Sequence, residues 1–314
     1  MTTLNDWSYP EKKYCVFFGA GFSKWACELP LAKELFDFNI KIWGSREQQN
    51  LSEIKERWDN RYPDRTSEEF IRELIESSPA ERKLVTWYVV RRLADPFILN
   101  AFSGHRSVLS IDDKRKFKLE GVRKAKYFID SLLSPNLTGI LTTNYDLLIE
   151  YSLGSENFNY GTQFQELHGR GKYPLTTWLT GPVLAQGNLT LLKLHGSISL
   201  TEKGYCTDGR GGITGKAIIV PPTQNKQFFD DIAPVWDQAK IILKKSETIV
   251  FFGFAFNPYD QKILDLFTET ESWIKKIIVI NTNPDVEQSA KNIWPNAEIK
   301  RIDPDDIHKI SQLL

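Results

Sequence analysis

Residues 14–23 of this 314-residue chain read YCVFFGAGFS. The first half is an apolar run of strand length, and the second half is a glycine turn. After Pro30, apolar residues within 31–40 recur with the period of an amphipathic helix, so we predict strand, turn and helix. Glycines in such a turn let backbone amides approach a pyrophosphate, and a helix N-terminus adds partial positive charge. The third glycine of the usual dinucleotide fingerprint is absent because position 24 is Lys, so a plain tight turn stays open as the alternative.

Short apolar runs rich in β-branched residues appear after residue 135, and each has the character of a buried strand. They lie at 139–142, 190–194, 217–220, 248–252, 277–280 and 299–302. Helical stretches follow several of them, so strands and helices alternate along the chain. This alternation predicts an α/β fold, a Rossmann-like and mostly parallel sheet with helices on both faces. Ligands are then expected at the carboxyl ends of the strands.

Strand signals nearly vanish between residues 40 and 135, where helix starts replace them. Thr66 with Glu69 forms a candidate capping box, and Pro79 stands at a first helical position. The Asp-Pro dipeptide at 95–96 is predicted to break one of these helices. We therefore expect a single domain over 1–314 that carries a helical insert over 40–135.

Composition and charge exclude several classes of protein. Lys plus Arg (40) equals Asp plus Glu (40), so no overall basic field is predicted and direct nucleic-acid binding is not indicated. The three cysteines form no C-x-x-C pair, so we expect neither a disulfide framework nor a cysteine zinc ribbon, and no metal site. No apolar run reaches the ~18–20 residues of a membrane helix, and the polar N-terminal segment lacks signal-peptide order. These features favour a cytoplasmic protein without a membrane contact.

Polar groups follow several of the predicted strands. The segment 142–146 contains Asn144 and Asp146, either of which could simply cap the helix that follows. Asparagine and glycine in the segments 253–258 and 281–284 could likewise form turns only. Taken one at a time, these groups do not require a functional explanation.

His195 lies in a third group, at 193–197, again directly after an apolar strand. A single histidine at a strand end is more often structural than catalytic. His168 also precedes a glycine, but it follows no comparable strand and therefore ranks below His195 as a candidate base.

The order of these motifs resembles that of the sirtuin-like family, and more closely its prokaryotic branch that lacks the zinc ribbon. That branch carries G-A-G-x-S, T-x-N-Y-D, L-H-G-S, V-P-P and G-F-x-F in succession. The matching segments here lie at 19–23, 142–146, 194–197, 220–222 and 253–256. The resemblance thus spans nearly the whole chain, and the shared order makes individually modest motifs specific.

The resemblance implies that NAD lies across the carboxyl edge of the sheet. Asn144 would position a nucleophile near the nicotinamide ribose, His195 would act as the general base, and Asp146 would receive the nicotinamide amide. The glycine turn would hold the diphosphate, and the ends of the strands predicted at 248–252 and 277–280 would hold the adenosine half. The implied binding residues are Gly19, Ala20, Gly21 and Ser23 for the diphosphate, and Gly253, Phe254 and Asn281 for the adenosine.

The chain departs from the zinc-bearing sirtuins at several positions. Thr143 stands where they usually have Gln, and Phe254-Ala255 replaces their Thr-Ser. The Asp-Phe-Arg segment of the protein deacetylases is missing after the glycine motif. In place of the zinc ribbon the chain has a glycine-rich loop over 204–215 that contains Cys206. An acyl-lysine channel usually forms against that ribbon, so its replacement favours water as the acceptor.

These features together predict an NAD-consuming hydrolase, an NADase that releases nicotinamide and ADP-ribose. By the same resemblance it would be an abortive-infection effector of bacterial antiphage defence, held inactive until a separate sensor or activator protein acts on it. The helical insert is the predicted place for self-association into a homo-oligomer or for docking of that partner. An NAD-dependent protein deacylase and a non-catalytic nucleotide-binding or assembly subunit are the alternatives.

Overall fold

The computed structural model describes residues 13–35, 45–65, 67–98, 111–154, 157–161, 175–177, 181–183, 187–201, 204–205, 217–220 and 232–314. The strands in this part of the chain are β1 (Tyr14–Phe18), β2 (Leu137–Thr142), β3 (Phe158–Asn159), β4 (Leu175–Thr177), β5 (Gly181–Val183), β6 (Leu189–Lys193), β7 (Gly196–Thr201), β8 (Gly204–Tyr205), β9 (Ala217–Ile219), β10 (Thr248–Phe252), β11 (Lys276–Ile280) and β12 (Glu298–Ile302). The α-helices are α1 (Ala20–Cys27), α2 (Ala32–Leu35), α3 (Ser45–Arg61), α4 (Ser67–Ser77), α5 (Pro79–Ile98), α6 (Ile111–Leu132), α7 (Leu148–Leu153), α8 (Ala233–Lys244), α9 (Gln261–Thr270) and α10 (Asp285–Ile293). Short 3-10 segments lie at Glu271–Trp273 and Pro304–Gln312.

Seven of the described strands form one parallel sheet in the order β12-β11-β10-β1-β2-β6-β3. The chain first extends from β1 on one side, through β2, β3 and β6, and then returns to add β10, β11 and β12 on the other side. Every residue of β1 and β10 is buried, which is typical of a parallel sheet covered by helices on both faces. The predicted Rossmann-like α/β fold is confirmed. Its winding reverses between β1 and β10, which is where open α/β sheets bind ligands.

The helices pack in separate groups around the sheet. α6 contacts α1 and α7, whereas α8 contacts α9 and the strands β2 and β6. The approach of α6 to α1 depends on Gly121, because a Cβ there would lie 2.5 Å from the Ala26 carbonyl oxygen and 2.6 Å from the Cys27 sulfur. In the described ranges no helix is both long and apolar enough to cross a lipid bilayer.

The helices within 40–135 divide between two hydrophobic cores. α3, α4 and α5 share a core of their own, and Leu147, Ile198 and Ile219 extend it to the loop after β2 and to β7 and β9. α6 instead packs into the core of the parallel sheet. Its residues there are Ala125, Phe128, Ile129 and Leu132.

Three local predictions differ from the structure. α1 begins at Ala20, one residue after β1 ends, so the second glycine of the turn already belongs to a helix. The described part of the helix predicted over 31–40 contains α2, and 36–40 lies outside the described residues. α5 continues through Pro96, so the predicted break is wrong. The proline falls in the last turn of that helix, where it removes one hydrogen bond near an end that frays in any case.

The third difference concerns the strand predicted at 217–220. It exists as β9, but it belongs to a separate three-stranded antiparallel sheet in the order β8-β7-β9. The predicted loop over 204–215 begins with β8 of the same sheet, and 206–215 lies outside the described residues, as does Thr66 of the predicted capping box. β4 and β5 form a further antiparallel pair.

Candidate active site

The turn after β1 packs directly on the turn after β10. The Gly19 N–H donates to the Phe252 carbonyl and the Gly21 N–H to the Gly253 carbonyl, both at 2.9 Å. A Cβ at Gly19 would lie 2.5 Å from the Gly253 carbonyl oxygen, and one at Gly21 would lie 2.7 Å from the Gly253 Cα. Gly253 has a left-handed φ of +66°, and a Cβ there would lie 2.3 Å from the Phe22 nitrogen. The three glycines therefore bring the two turns into backbone contact.

The backbone N–H groups of Gly19 and Gly21 are thus hydrogen-bonded within the protein and do not point into a free binding site. Between them Ala20 is exposed and lines a cleft, together with the buried Ser23. Since α1 starts at Ala20, its partial positive charge lies at this part of the cleft. An anion at this turn would therefore meet the Ala20 amide rather than the glycine amides.

Asn144 is buried at the end of β2, and the two ends of its side-chain amide have different surroundings. Its Nδ2 donates to the Gly19 carbonyl and to the Ser23 hydroxyl, both at 3.0 Å. Its backbone N–H donates to the Thr142 hydroxyl at 3.0 Å. Its Oδ1 is buried and has no hydrogen-bond partner among the described residues. Because a buried acceptor without a partner is unfavourable, this oxygen is placed to receive a hydroxyl group or a water molecule.

Asp146 lies one residue before Leu147, the N-cap of α7, and its side chain binds the start of the helix, close to the capping role that the sequence offered as an alternative. Its Oδ1 accepts from the Leu148 N–H at 3.0 Å, at the start of α7. Its backbone carbonyl accepts from the Lys193 ammonium. The side chain is buried and also lines the cleft. Capping does not prevent a contact with a ligand, because a carboxylate accepts several hydrogen bonds.

A buried ion pair lies behind this loop. Lys193 Nζ is 2.9 Å from Glu150 Oε1, and the two side chains are 1% and 2% exposed. The Tyr160 hydroxyl donates to the same oxygen at 3.4 Å. Burial raises the pKa of the Glu150 carboxyl, and the Lys193 ammonium opposes that shift. Through its bond to the Asp146 carbonyl, Lys193 also ties the end of β6 to the loop after β2.

Lys193→Met should lower the free energy of unfolding by about 3–5 kcal/mol, because it leaves the Glu150 carboxylate buried without its countercharge. The double variant Lys193→Met, Glu150→Leu should recover most of that loss, since an apolar pair needs no countercharge. Urea denaturation measures both values. The matched control is Lys275→Met, which breaks the exposed pair with Glu247 and should cost at most about 1 kcal/mol. Equal losses at positions 193 and 275 would contradict a structural role for the buried pair.

His195 follows β6, and 3% of its side chain is exposed. Its carbonyl accepts a hydrogen bond from the Val220 N–H at 2.8 Å. This bond joins the L-H-G-S motif at 194–197 to the first residue of the V-P-P motif at 220–222. The rest of the second motif, 221–222, lies outside the described residues. The Tyr145 ring is 6.3 Å from the imidazole between centroids, and its hydroxyl donates to the Val220 carbonyl. Burial raises the pKa of Tyr145, so this phenol stays neutral beside the histidine. The rival base His168 lies outside the described residues.

The side chains of Asn144, Asp146 and His195 line one cleft at the carboxyl ends of β1, β2 and β6. Leu35 of α2 and Leu93 of α5 form part of its apolar wall. The described cavity measures ≈ 130 Å³, whereas small-molecule sites are typically about 300–1,000 Å³. This described cavity is large enough for part of a dinucleotide. The predicted site residues that it brings together are Ala20, Ser23, Asn144, Asp146 and His195.

Two residues near this cleft were not assigned a role from the sequence. Lys193 carries a weak signal, because a charged residue ends an otherwise apolar strand. Asp260, which also lines the cleft, carries none, since an acidic residue before a helix ordinarily indicates a cap.

Phe254 and Asn281 are not among the described residues that line this cleft. The Phe254 ring is buried in an aromatic cluster, with its centroid 4.9 Å from that of Phe17 and 5.0 Å from that of Phe256. Asn281 Nδ2 donates to the Phe254 carbonyl at 3.1 Å, and its Oδ1 accepts from the Asn283 N–H at 3.0 Å. Both side chains therefore hold the turns after β10 and β11.

A sequence model of the SIR2-like domain matches residues 138–301, which is more than half of the chain. The chain belongs to the SIR2-like family. No curated protein matches it significantly. The matched region of this SIR2-like protein contains the strand ends that carry Asn144, Asp146 and His195, while the glycine turn at 19–23 precedes it. Family membership supports an NAD-dependent enzyme.

Several solved structures are similar to this SIR2-like protein at low identity. A Sir2 enzyme studied for its mechanism and regulation is 13% identical; the alignment covers 96% of this chain and 92% of that one, with a TM-score of 0.42. A Sir2 homologue in complex with NAD is 15% identical, with 96% and 88% covered and a TM-score of 0.41. A structure concerned with sirtuin substrate affinity is 12% identical, with 96% and 92% covered and a TM-score of 0.39.

The described part of the SIR2-like protein contains no group of three or more His, Cys, Asp or Glu side chains that could hold a metal ion. Two of its cysteines, Cys15 and Cys27, are buried. Cys206, the cysteine of the predicted ribbon replacement, lies outside the described residues.

Proposed function

We propose that this SIR2-like protein is an NAD glycohydrolase that cleaves the bond between ribose and nicotinamide and releases nicotinamide and ADP-ribose. The observation that carries the proposal is the meeting of Asn144, Asp146 and His195 in one buried cleft, with Asn144 Oδ1 left as an acceptor. The orphaned acceptor fits a ribose hydroxyl or an attacking water.

The chemistry suits this small set of side chains. Nicotinamide is cationic in NAD and departs neutral, so its loss needs little acid assistance and passes through an oxocarbenium-like state, as in glycoside hydrolysis. What remains is to place and activate water. His195 is proposed as the general base, for which rate gains of roughly 10² to 10⁴ are typical. Asn144 is proposed to hold the water or the ribose hydroxyls in attack geometry. No step requires a metal.

The substrate is proposed to lie with its diphosphate near Ala20 and Ser23 and with its nicotinamide amide at Asp146. The start of α1 favours the anionic diphosphate there. Gly19 and Gly21 shape this end of the site by holding the turn, and Gly253, Phe254 and Asn281 shape the adenosine end in the same indirect way. These three glycines, Phe254 and Asn281 are thus proposed to fix the backbone conformation of the turns around the substrate and not to contact the substrate with their side chains.

Water is favoured over an acyl-lysine as the acceptor. The described wall of the cleft includes the apolar side chains of Leu35 and Leu93 from α2 and α5, which offer no hydrogen-bond partner to a peptide backbone. The segment 204–215 replaces the zinc ribbon against which such a channel usually forms.

The biological setting is proposed from the resemblance alone. The protein would be a cytoplasmic effector of bacterial antiphage defence that depletes NAD after infection, controlled by a separate activator. α3, α4 and α5 are the proposed surface for homo-oligomer formation or for that activator, because α5 also reaches the cleft through Leu93.

The test incubates the purified protein with NAD, with and without an acetyl-lysine peptide, and with extract from infected cells in a parallel series. The proposal predicts nicotinamide and ADP-ribose in equal amounts, independent of peptide. Nicotinamide release that requires peptide would indicate a deacylase. NAD binding without nicotinamide in any series would indicate a non-catalytic subunit.

A further inference from the structure

Asp260 occupies the N-cap position of α9, where an aspartate ordinarily caps the helix with its side chain. Here the side chain makes no capping hydrogen bond. The helix starts through the backbone, since the Asp260 carbonyl accepts from the N–H groups of Ile263 at 2.8 Å and Leu264 at 3.1 Å. Capping of α9 therefore does not account for the position of the carboxylate.

The carboxylate lies in the cleft beside the histidine. Asp260 Oδ1 is 3.7 Å from His195 Nε2, and the two side chains are 13% and 3% exposed. Both residues line the cleft that contains Asn144. A carboxylate so little exposed is costly unless donors or a positive charge accompany it. The imidazole within reach becomes positively charged when it accepts a proton.

The chain brings Asp260 to this place across two strands. β10 and β6 are three positions apart in the sheet, which is about 14 Å at the ~4.8 Å spacing of neighbouring strands. The segment 253–260 thus passes the carboxyl ends of β1 and β2 before α9 begins. Gly253 (φ +66°) and Phe256 (φ +51°) are left-handed in this segment. Such a conformation is uncommon at a non-glycine residue, and it also occurs at Glu28, where it ends α1.

We propose that Asp260 is a positioning residue for His195, a role that rests on the proposed cleavage of NAD. In that reaction an O–H bond of water breaks, its proton passes to the imidazole, and the oxygen bonds to the ribose carbon. The bond from ribose to nicotinamide breaks, and its electron pair leaves with neutral nicotinamide. Asp260 orients the imidazole and stabilises the imidazolium without touching the substrate, as the aspartate of a catalytic triad does.

Other titratable side chains lie around the imidazole in the described part of the chain. Tyr145 is neutral, because burial raises its pKa. Asp146 lines the same cleft and accepts from the Leu148 N–H at 3.0 Å. The Lys193 ammonium is directed to Glu150, 2.9 Å away. Asp260→Asn alters none of these side chains, so the variant differs from the wild type only in the group at position 260.

The test compares Asp260→Asn with Asp265→Asn, which is the same change at an exposed position of α9. Histidine NMR follows the four imidazole rings across pH without substrate, and His195→Gln assigns the signal. The midpoint of the His195 titration should fall by roughly one pH unit or more in Asp260→Asn, because a carboxylate within about 4–6 Å favours the protonated ring. It should not change in Asp265→Asn.

Turnover of NAD supplies the second measurement. Asp260→Asn should lower kcat roughly tenfold or more with little change in KM, and Asp260→Glu should restore part of the rate. Equal His195 midpoints in the wild type and in Asp260→Asn would overturn the proposal, whatever the activity. If the wild type releases no nicotinamide, the proposed function fails while the NMR titration still decides the pairing. If melting curves show that Asp260→Asn does not fold, Asp260→Ser takes its place.

Discussion

His195→Ala and Asn144→Ala should each lower the rate of NAD cleavage at least roughly a hundredfold. His195 is expected to take the proton from water, and Asn144 Oδ1 to hold that water or a ribose hydroxyl. Both side chains are buried in one cleft. A water molecule that enters the space left by either truncation is not held in the position of the lost side chain, so it does not restore the attack geometry. Turnover, NAD affinity by calorimetry and melting temperature are to be measured on each variant. Affinity and melting temperature should change far less than turnover.

Asn144 needs a finer comparison, because its Nδ2 also holds the fold. Ser23→Ala removes one of the two contacts of Nδ2 and leaves Oδ1 in place. Because Ser23 is also proposed to lie beside the diphosphate, the comparison uses kcat at saturating NAD and not affinity. If Oδ1 makes the catalytic contribution, Ser23→Ala should keep most of the kcat that Asn144→Ala loses, even where its KM rises. Equal losses of kcat in the two variants would assign Asn144 to the support of the Gly19 turn instead.

The matched control for the histidine is His308→Ala, since His308 is exposed in the last 3-10 segment. It should leave turnover unchanged. A structural role for His195 predicts instead that activity falls in step with stability, by the roughly 0.5–3 kcal/mol usual for single substitutions. A fully active His195→Ala protein would rule out the mechanism, and His168 would become the next candidate base.

The strands of the parallel sheet are predictable because each is a short apolar run that becomes buried. The predicted segment 248–252 coincides with β10, and the predicted 139–142, 190–194, 277–280 and 299–302 agree with β2, β6, β11 and β12 to within two residues. The meeting of Asn144 and His195 follows from the same pattern, since the carboxyl ends of parallel strands share one edge of the sheet.

The local sequence pattern does not show which residues far apart along the chain contact each other. The apolar run at 217–219 fits a strand in either sheet, and only the pairing of β9 with β7 places it in the antiparallel one. Lys193 and Glu150 lie on different elements, and neither local pattern signals the other. Asp260 has the local pattern of a helix cap, and only the path of 253–260 across the sheet brings its carboxylate to His195.

For the glycine turn, too, the local sequence does not reveal which group occupies the space beside each glycine. The sequence suggests that its glycines admit a diphosphate, and the structure shows that the space a Cβ would need at Gly19 and Gly21 is occupied by the backbone of Gly253. A glycine required by a ligand and a glycine required by another turn have the same sequence pattern. Stability measurements separate the two.

Gly253→Val should leave no stably folded protein, and Gly253→Ala should lower the melting temperature by several degrees. A left-handed backbone costs an L-residue roughly 1–2 kcal/mol. In addition, the Cβ would lie 2.3 Å from the Phe22 nitrogen and 2.4 Å from the Gly21 carbonyl carbon. These are backbone atoms of a helix packed on the sheet, so they cannot move aside without displacing α1. Soluble yield and thermal unfolding by circular dichroism measure the effect.

The control for this prediction is Ala255→Val, two residues along the same turn, where the side chain is exposed and should leave the melting temperature close to that of the wild type. Gly21→Ala then distinguishes the two roles of the glycines. If they mainly admit a ligand, it should lower NAD affinity at an unchanged melting temperature. If they join the two turns, as the 2.7 Å from a Gly21 Cβ to the Gly253 Cα indicates, it should lower the melting temperature first. A Gly253→Val protein that melts like the wild type would contradict the joining role, because its side chain would overlap the backbone of Gly21 and Phe22.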